Sequence, residues 1–443
     1  MKLTVRKTGI NGEGIAYYER KPVFIEGCFV GETVECEVED KGRYYIGKLN
    51  RIVRRSSNRI KSVCPYEKKC GGCSLINLKY ETQLEEKKEL LREALQKYAN
   101  YKGEIEGIVP SDKIYGYRNK CNLPVVKDRK GRLVNALYKP GSNEPVYFDR
   151  CLLHEEKLEE IRIKVMDILN DYHFDAYSSK EKKGVRQLVI RGLSGQYQIV
   201  LVTGKDTISR DVISEISDIE GVVSLWQGVN VQKNPVKLMP DKLELLSGKK
   251  AIEVKLGDYV LKLDPQSFFQ LNYDQAVNIY SEVDSLISEK VSTIVEAYCG
   301  IGAISLYLSN RANEVIGIDI EKKAVRNAED NARINNIDNV RFIADDASRA
   351  VRKLVKSDKI DVLVVDPPRS GLDDELVRSL IDSEINQIIY VSCNPATLAK
   401  NLNVLKKTYN INKVKGFDMF PNTALVETVC VLKRRRIHTH TEF

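Results

Sequence analysis

The sequence predicts an α/β protein whose last part is a doubly wound, mostly parallel sheet. From residue 251 onward, short apolar strands alternate with helical segments, which is the rhythm of such a sheet. Ahead of it, short strands separated by turn residues fill 1–57, and strands mixed with a few helices fill 58–250. We therefore expect a small β-barrel at 1–57, an α+β central domain at 58–250, a Rossmann-like domain at 251–435 and a tail at 436–443.

The first 57 residues predict an antiparallel barrel of the OB type, because Gly, Asn and Asp turns separate its short strands. The last strand continues into a basic run at 51–63 that contains no acidic residue. Arg54 and Arg55 lie in this run, and such a cluster is suited to nucleic-acid phosphates. A solvated linker is the alternative, because basic runs are common on protein surfaces.

The central domain begins with a cysteine-rich segment followed by a helix. Residues 82–98 place apolar side chains at helical spacing behind Thr82, which predicts an amphipathic helix that packs on the C-terminal domain. One further helix is expected near 155–171. It accompanies strand-like runs at 185–191, 198–203 and 222–227. This mixture predicts an α+β layer.

Composition and charge narrow the class of protein. A chain of 443 residues with 42% hydrophobic side chains can bury the cores of two to four domains, and its net charge of +8 favours an anionic partner. No run of about 18 apolar residues is present and residues 1–6 lack an apolar signal core, so we expect a cytoplasmic protein without a membrane partner. Ten irregularly spaced cysteines indicate reduced thiols, metal ligands or catalysis. We expect a monomer.

Residues 296–302, with the sequence EAYCGIG, close the first strand of the C-terminal sheet and open a helix. The two glycines let the backbone approach a ligand, and Asp319 ends the second strand, where a carboxylate can accept hydrogen bonds from ribose hydroxyls. The phosphate cradle of dinucleotide folds is incomplete, since it needs a third glycine. This favours S-adenosylmethionine over NAD, and a structural turn without a ligand is the alternative.

Asp366, Pro367 and Pro368 end the fourth strand, where the prolines stiffen the loop and leave the carboxylate at the ligand edge. In methyltransferases that act on amines, an aromatic side chain follows the prolines and stacks on the target base. Arg369 follows here, and a cysteine stands on the next strand. These differences favour methylation of carbon.

Cys393 and Glu427 supply a nucleophile and a base beside the predicted cofactor site. Carbon 5 of uracil is too weak a nucleophile to attack a sulfonium methyl directly. A thiolate that adds to carbon 6 makes carbon 5 nucleophilic, and a base must then remove the carbon-5 proton so that the thiolate can leave. The alternatives are a buried structural thiol and an ordinary carboxylate at a strand end.

Together these residues resemble the RNA (uracil-5-)-methyltransferase family, which makes 5-methyluridine. The resemblance covers nearly the whole chain, because the barrel is similar to the TRAM domain of the ribosomal-RNA members. It implies that Cys393 is the nucleophile and Glu427 the proton-abstracting base. It also implies four contacts to S-adenosylmethionine, from Gln270, Tyr298, Asp319 and Asp366. Two departures bear on substrate positioning: Leu425 stands where members often have His, and Asp319 where many have Glu.

Cys64, Cys70 and Cys73 lie close together in the sequence, and two intervening glycines permit a tight wrap around an inorganic group. Four ligands are usual for an iron–sulfur cluster or a structural zinc, and for the fourth we favour Cys151 over Cys121. The arrangement resembles the four-iron site of the same family, which implies a 4Fe-4S cluster; zinc and uncoordinated thiols are the alternatives. The spacing differs from that of radical S-adenosylmethionine enzymes, so we expect a structural or RNA-folding role.

Residues 115–120 alternate aromatic and basic side chains, as a surface that stacks bases and pairs phosphates would. They also resemble the family's Tyr-Arg-Asn-Lys segment, and we expect Arg118 and Lys120 to contact RNA. An ordinary strand of mixed polarity is the alternative. Phe268 and Phe269 can wall a pocket for an extruded uridine, with Phe269 as the expected RNA contact and a core position as the alternative.

The leading interpretation is an enzyme that methylates carbon 5 of a specific uridine in 23S ribosomal RNA through a covalent adduct between Cys393 and the uracil. The same chemistry on transfer RNA is the second interpretation, since some transfer-RNA members carry both a barrel and a cysteine cluster. A third is an iron–sulfur, redox-sensing RNA-binding protein with a vestigial methyltransferase fold. The intact Cys393 and Glu427 count against this third interpretation.

Overall fold

The structure is a computed structural model that describes residues 1–233 and 237–435. Over these ranges the strands form four sheets. The predicted tail at 436–443 lies outside the described residues. None of the helices in the described ranges is long and apolar enough to cross a membrane.

The N-terminal barrel is a six-stranded sheet around one core. Its strands are β1 (Lys2–Thr4), β2 (Lys7–Thr8), β3 (Gly14–Tyr18), β4 (Lys21–Ile25), β5 (Thr33–Asp40) and β6 (Tyr45–Arg54). The spatial order is β1-β5-β6-β4-β3-β2, so the short segment that carries β1 and β2 joins the two edges. All pairs are antiparallel except β4 with β6, which the purely antiparallel prediction did not anticipate. Alternate side chains, among them Val23, Ile25 and Val34, fill the core.

Helix α1 (Tyr80–Ala99) follows the barrel. Its buried positions Leu91, Leu95 and Ala99 recur at helical spacing and join the core of the C-terminal sheet. The chain then adds a two-residue strand, β7 (Ile108–Val109), to the edge of that same sheet. The segment between the barrel and the central sheet is therefore packed on the C-terminal sheet.

The central sheet has seven strands in the order β10-β9-β8-β11-β12-β13-β14. They are β8 (Lys120–Lys127), β9 (Leu133–Tyr138), β10 (Pro145–Tyr147), β11 (Val185–Leu193), β12 (Gln196–Thr203), β13 (Val222–Val229) and β14 (Glu244–Gly248). Only β12 and β13 pair in parallel. Helices α2 (Glu156–Asp171) and α3 (Arg210–Ser217) bury Leu158, Ile161 and Val212 against one face, which makes this an α+β layer.

A hairpin of β15 (Ile252–Leu256) and β16 (Tyr259–Leu263), followed by helix α4 (Tyr273–Ser285), leads into the C-terminal sheet. Its strands are β17 (Val291–Ala297), β18 (Ala312–Asp319), β19 (Val340–Ala344), β20 (Val362–Val365), β21 (Gln387–Ser392), β22 (Tyr409–Phe417) and β23 (Glu427–Arg434). The helices between them are α5 (Ala303–Tyr307), α6 (Lys322–Ile334), α7 (Ala347–Ser357), α8 (Asp374–Asp382) and α9 (Pro395–Leu405).

The C-terminal sheet has the order β19-β18-β17-β20-β21-β23-β22-β7. Its first five strands are parallel, and β23 is inserted antiparallel between β21 and β22. Two separate apolar cores cover its faces, one with α1, α7, α8 and α9 and the other with α4 and α5. The doubly wound, Rossmann-like sheet predicted from the sequence is thus confirmed, and its parallel strands end at one ligand-binding edge.

Candidate active site

Cys393 lies between the last residue of β21 and the first turn of α9. The side chain of Asn394 caps α9 by accepting a hydrogen bond from the Ala396 amide (3.0 Å), and its Nδ2 donates to the Arg369 carbonyl (3.1 Å). The Thr397 hydroxyl donates to the same carbonyl (3.2 Å). The cysteine turn and the loop that follows Asp366 are therefore tied together, and the half-buried Cys393 is held at their junction.

Glu427 is the first residue of β23, and the strand register brings it to Cys393. Ser392, the last residue of β21, pairs with Thr428 on antiparallel β23. Cys393 follows Ser392, and Glu427 precedes Thr428. The thiol and the carboxylate therefore stand at facing positions. Glu427 is buried, whereas Cys393 keeps partial access to solvent. A ligand that enters at this edge can therefore meet both groups.

Two carboxylates at this edge, Asp366 and Glu427, have raised pKa values. Burial raises the pKa of Asp366, at the end of β20, to about 7. Burial also raises the pKa of Glu427 to about 8; the Asp366 charge adds to this rise and Arg369 opposes it. The pKa of the Cys393 thiol rises to about 11, first through burial and then through the charges of Glu427 and Asp366. Burial therefore favours the protonated forms of Glu427 and Cys393.

The cofactor edge is built where β17 and β18 end. Tyr298 and Gly300 both adopt positive φ angles, of 68° and 53°, and a Cβ on Gly300 would meet no atom within 4 Å. The Gly300 amide donates to Asp319 Oδ2 (2.8 Å), while the Glu321 amide donates to Asp319 Oδ1 (2.8 Å). The carboxylate is thus oriented by backbone groups and retains acceptor capacity toward the open turn, which fits ribose hydroxyls.

Three further residues at this edge were not assigned a role from the sequence. Glu296 is buried on β17 beside Asp366 and Asp319, and burial raises its pKa to about 8. Asp345 follows β19, and its amide donates to the Asp319 carbonyl (3.1 Å). The Ile320 side chain is 66% exposed next to Asp319, where it offers apolar surface to a planar ring. Asp345 and Ile320 directly follow strands and Glu296 is the last residue but one of β17, and this position was the available signal.

Gln270 lies in the loop between β16 and α4, and its carbonyl accepts a hydrogen bond from Asn119 Nδ2 (2.9 Å). Of the two neighbouring phenylalanines, Phe269 is buried in the core beside Tyr273 and Phe268 is 70% exposed. The expectation that Phe269 touches RNA is therefore corrected: its side chain packs in the core, and Phe268 is the exposed ring.

The four predicted basic contacts lie in two different environments. Arg54 and Arg55 are exposed at the end of the barrel, whereas two other Arg residues of the run pair with carboxylates, Arg51 with Glu35 and Arg59 with Glu32. Arg118 and Lys120 are half-buried. Burial lowers the pKa of Lys120 to about 7, with Arg191 adding to the fall.

Four thiols share one neighbourhood around Cys73. Burial raises the pKa of Cys73 to about 12, and the charges of Cys151, Cys70 and Cys64 add to the rise. The Tyr66 hydroxyl donates to Asp149 Oδ2 (2.9 Å) and accepts from the Asp149 amide (3.0 Å), which ties the segment containing Cys64 and Cys70 to the loop of Cys151. Within the described ranges, however, no group of three or more His, Cys, Asp or Glu side chains is placed to hold a metal ion.

A doubly wound sheet with a glycine turn and acidic strand ends provides the framework of an S-adenosylmethionine-dependent methyltransferase. The family model described as tRNA (uracil-5-)-methyltransferase matches residues 79–435, and the TRAM domain model matches residues 1–46. The chain belongs to this uracil-5-methyltransferase family.

The relatives extend over the full length of the chain. An RNA methyltransferase of Listeria innocua, called uncharacterized, is 36% identical over 98% of this chain and 97% of its own length. A Bacillus cereus relative of the same description is 37% identical over 98% of this chain and 96% of its own. The family model names carbon 5 of uracil as the methylated position, and the relatives are named as RNA methyltransferases.

A solved structure from Pyrococcus abyssi also covers the whole chain. It is a tRNA (uracil-54, C5)-methyltransferase in complex with S-adenosyl-L-homocysteine, with a TM-score of 0.79 and 27% identity over 98% of this chain and 100% of that one. The similarity includes the N-terminal barrel. It therefore supports S-adenosylmethionine as the methyl donor of this fold.

Proposed function

We propose that this enzyme methylates carbon 5 of a specific uridine in 23S ribosomal RNA through a covalent bond between Cys393 and carbon 6 of the uracil. The observation that carries the proposal is the register of β21 and β23, which sets the thiol opposite a buried carboxylate. A methyltransferase that acts directly on an amine needs neither group. The pair has a clear use when carbon 5 must first be activated and then lose its proton.

Each side chain has one step in the proposed reaction. The partly exposed Cys393 thiol gives its proton to solvent, and the resulting thiolate forms a bond to carbon 6. The electron pair of the carbon 5–carbon 6 double bond moves toward carbon 5 and oxygen 4. Carbon 5 takes the methyl group from the sulfonium, whose carbon–sulfur bond breaks to leave S-adenosylhomocysteine. Glu427 then removes the carbon-5 proton, the double bond forms again, and the Cys393 sulfur leaves carbon 6 with its electron pair.

Bound ligands prepare the protonated edge for this chemistry. The sulfonium of the methyl donor carries a positive charge, and a positive charge near Asp366 and Glu427 favours their ionised forms. We assign Tyr298, Asp319, Asp366 and Gln270 to binding of the methyl donor. This agrees with the position of the first three at the ends of β17, β18 and β20.

We assign the RNA contacts to Arg54, Arg55, Arg118 and Lys120. The first two are exposed cations that can pair phosphates. Lys120 is suited to a phosphate that arrives with the RNA, because an adjacent anion would restore its ammonium form. Phe268, in place of Phe269, is the ring that can stack on an extruded base.

We propose that Cys64, Cys70, Cys73 and Cys151 hold a 4Fe-4S cluster with a structural role. The residues fit in donor chemistry, since four thiols share one neighbourhood while Cys121 is buried in the core of the central sheet. Purified protein should contain about four iron and four sulfide per chain. Stoichiometric zinc without sulfide would overturn this assignment.

Transfer RNA is a second candidate substrate, because the Pyrococcus abyssi structure that matches the whole chain is a tRNA (uracil-54, C5)-methyltransferase. Mass spectrometric mapping of 5-methyluridine in 23S ribosomal RNA and transfer RNA, from cells with and without the gene, separates the two. Loss of a ribosomal site supports the proposal. Loss of 5-methyluridine from transfer RNA alone would show that transfer RNA is the substrate.

We further propose that the enzyme acts as a monomer in the cytoplasm. None of its ten cysteines forms a disulfide in the structure, and free thiols are the rule in reducing compartments. Light scattering of the purified protein would test the monomer, with a mass near 50.3 kDa as the expected value.

A further inference from the structure

The loop at 418–426 connects β22 to β23, and Glu427 is the first residue after it. This connection, the base loop, therefore sets the position from which the Glu427 side chain starts. It is held by polar contacts from other parts of the chain. Helix α1 supplies five of them, and its contacting residues lie more than 330 residues earlier in the sequence.

A buried ion pair fixes the start of the base loop. Lys87 of α1 donates to the Asp418 carboxylate and to the Phe420 carbonyl (3.1 Å), and the side chains of Lys87 and Asp418 are both fully buried. The Tyr80 hydroxyl donates to Asp418 Oδ2 (2.8 Å) and accepts from the Ser111 amide (2.7 Å). Asp418 is therefore held by two side chains of the same helix.

A two-point contact fixes the middle of the base loop. Gln83 Oε1 accepts from the Asn422 amide (2.8 Å), and Gln83 Nε2 donates to Asn422 Oδ1 (3.2 Å). Asn422 adopts a positive φ of 69°, and its Nδ2 donates to the Ile114 carbonyl (2.7 Å). This backbone conformation is uncommon for a residue with a side chain, so its surroundings must hold it.

Docking of α1 does not by itself require these polar groups. Leu91, Leu95 and Ala99 already bury the second half of the helix in an apolar core. Gln83 and Lys87, four residues apart on one face, are instead buried and directed at the base loop. Buried polar groups of this kind fix one geometry more strictly than apolar contacts do.

We propose that Gln83 and Lys87 are positioning residues that act through the base loop to align Glu427 for removal of the carbon-5 proton. This inference rests on the proposed covalent mechanism. Proton removal follows methyl transfer, so a misaligned Glu427 leaves a methylated uridine still bonded to Cys393. A variant that only loses stability lowers every step and builds up no such adduct.

The test compares Gln83→Met with Gln96→Met. Both exchange the same side chain on α1, but Gln96 is exposed. Each protein is incubated with S-adenosylmethionine carrying a tritiated methyl group and with total RNA from cells that lack the gene. Turnover and the label that stays on the protein in denaturing gels are then measured. We expect Gln83→Met to turn over about 100-fold more slowly, with an unchanged KM for RNA and label on most of the protein. Gln96→Met should match the parent.

Slow turnover of Gln83→Met without labelled protein, or turnover equal to the parent, would overturn the inference. Tyr80→Phe removes one hydrogen bond to Asp418, and it serves as a second variant if Gln83→Met does not fold. It should show the same label at a smaller loss of turnover.

Glu427→Gln in the same assay tests the mechanism itself, because direct loss of the base must also trap label. If Glu427→Gln traps label but neither Gln83→Met nor Tyr80→Phe does, the positioning role alone is wrong. If Glu427→Gln traps none, the proposed mechanism is wrong.

Discussion

Buried charged groups in different parts of this protein are treated in opposite ways. Around the base loop and in the central domain they are paired: Lys87 with Asp418, and Glu159 with Arg162 and His154. Burial of Glu159 tends to raise its pKa, but hydrogen bonds from His154 and Arg162 outweigh this and the pKa falls. At the proposed catalytic edge, which comprises Asp366, Cys393 and Glu427, burial raises the pKa of both carboxylates instead.

The paired buried charges have a structural role, whereas the buried carboxylates at the catalytic edge are suited to proton transfer. A paired buried charge fixes a geometry, whereas a carboxylate shielded from water without a close cation can gain or lose a proton near neutral pH. Arg369 is the cation that opposes the pKa rise of Glu427, and it is exposed. A positively charged ligand at this edge would therefore favour the ionised form of Glu427.

The largest expected effect is loss of activity at the catalytic edge without loss of structure. In the proposed mechanism Cys393→Ala removes the group that activates carbon 5, so methyl incorporation into RNA should fall by about 10⁴-fold or more. Because Cys393 is half-buried and forms no disulfide, the melting temperature should stay close to that of the parent. Activity within tenfold of the parent would contradict the covalent step.

Truncation of one member of the buried Lys87–Asp418 pair should instead lower stability. Asp418→Ala leaves the buried Lys87 without its partner, and breaking a buried pair costs about 3–5 kcal/mol. Urea unfolding followed by circular dichroism would measure the free energy of unfolding. The double variant Lys87→Met/Asp418→Leu should recover most of the loss, because it buries no uncompensated charge. A loss below about 1 kcal/mol in the single variant would show that the pair is not structural.

A third prediction uses the sign of the pKa shift at Glu427. Its folded pKa of about 8 exceeds the ordinary value of 4.5, so ionisation opposes folding and stability is lost as the pH rises from about 4.5 to about 8. Glu427→Gln removes this charge. Relative to the parent, the variant should gain on the order of a few kcal/mol in the free energy of unfolding at pH 9 and much less at pH 5. An equal gain at both pH values would show that the carboxylate is not strained by burial.

The smallest effect is expected for an exposed pair outside both regions. Arg51 donates to Glu35 on the barrel surface at 2.8 Å and 2.9 Å. Arg51→Ala should leave the free energy of unfolding nearly unchanged, because exposed ion pairs are screened by water and salt. A loss as large as that of Asp418→Ala would erase the distinction between buried and exposed pairs.

Local patterns in the sequence were enough to predict the sheet and its ligand edge. The alternation of strands and helices, the glycine turn before α5 and the acids at Asp319 and Asp366 each depend on neighbours in the chain. The bounds of α1 also follow from helical spacing, since 82–98 was expected and the helix is Tyr80–Ala99.

Pairings between distant segments could not be predicted in this way. Glu427 lies opposite Cys393 because β23 is inserted antiparallel next to β21. The separation of 34 residues between them does not predict this strand order. The burial of Lys87 depends on Asp418, which no local pattern links to it. The assignment of Phe269 failed because two adjacent phenylalanines in a loop give no period from which to tell the buried ring from the exposed one.

The covalent step between Cys393 and the uracil can be tested directly with RNA in which 5-fluorouridine replaces uridine. Fluorine on carbon 5 cannot leave as a proton, so after methyl transfer Glu427 has nothing to remove and the adduct should persist. Mass spectrometry of the digested protein should then find a methylated fluorouridine nucleotide bonded to the peptide that contains Cys393. No adduct on that peptide, from a preparation that methylates ordinary RNA, would contradict the mechanism.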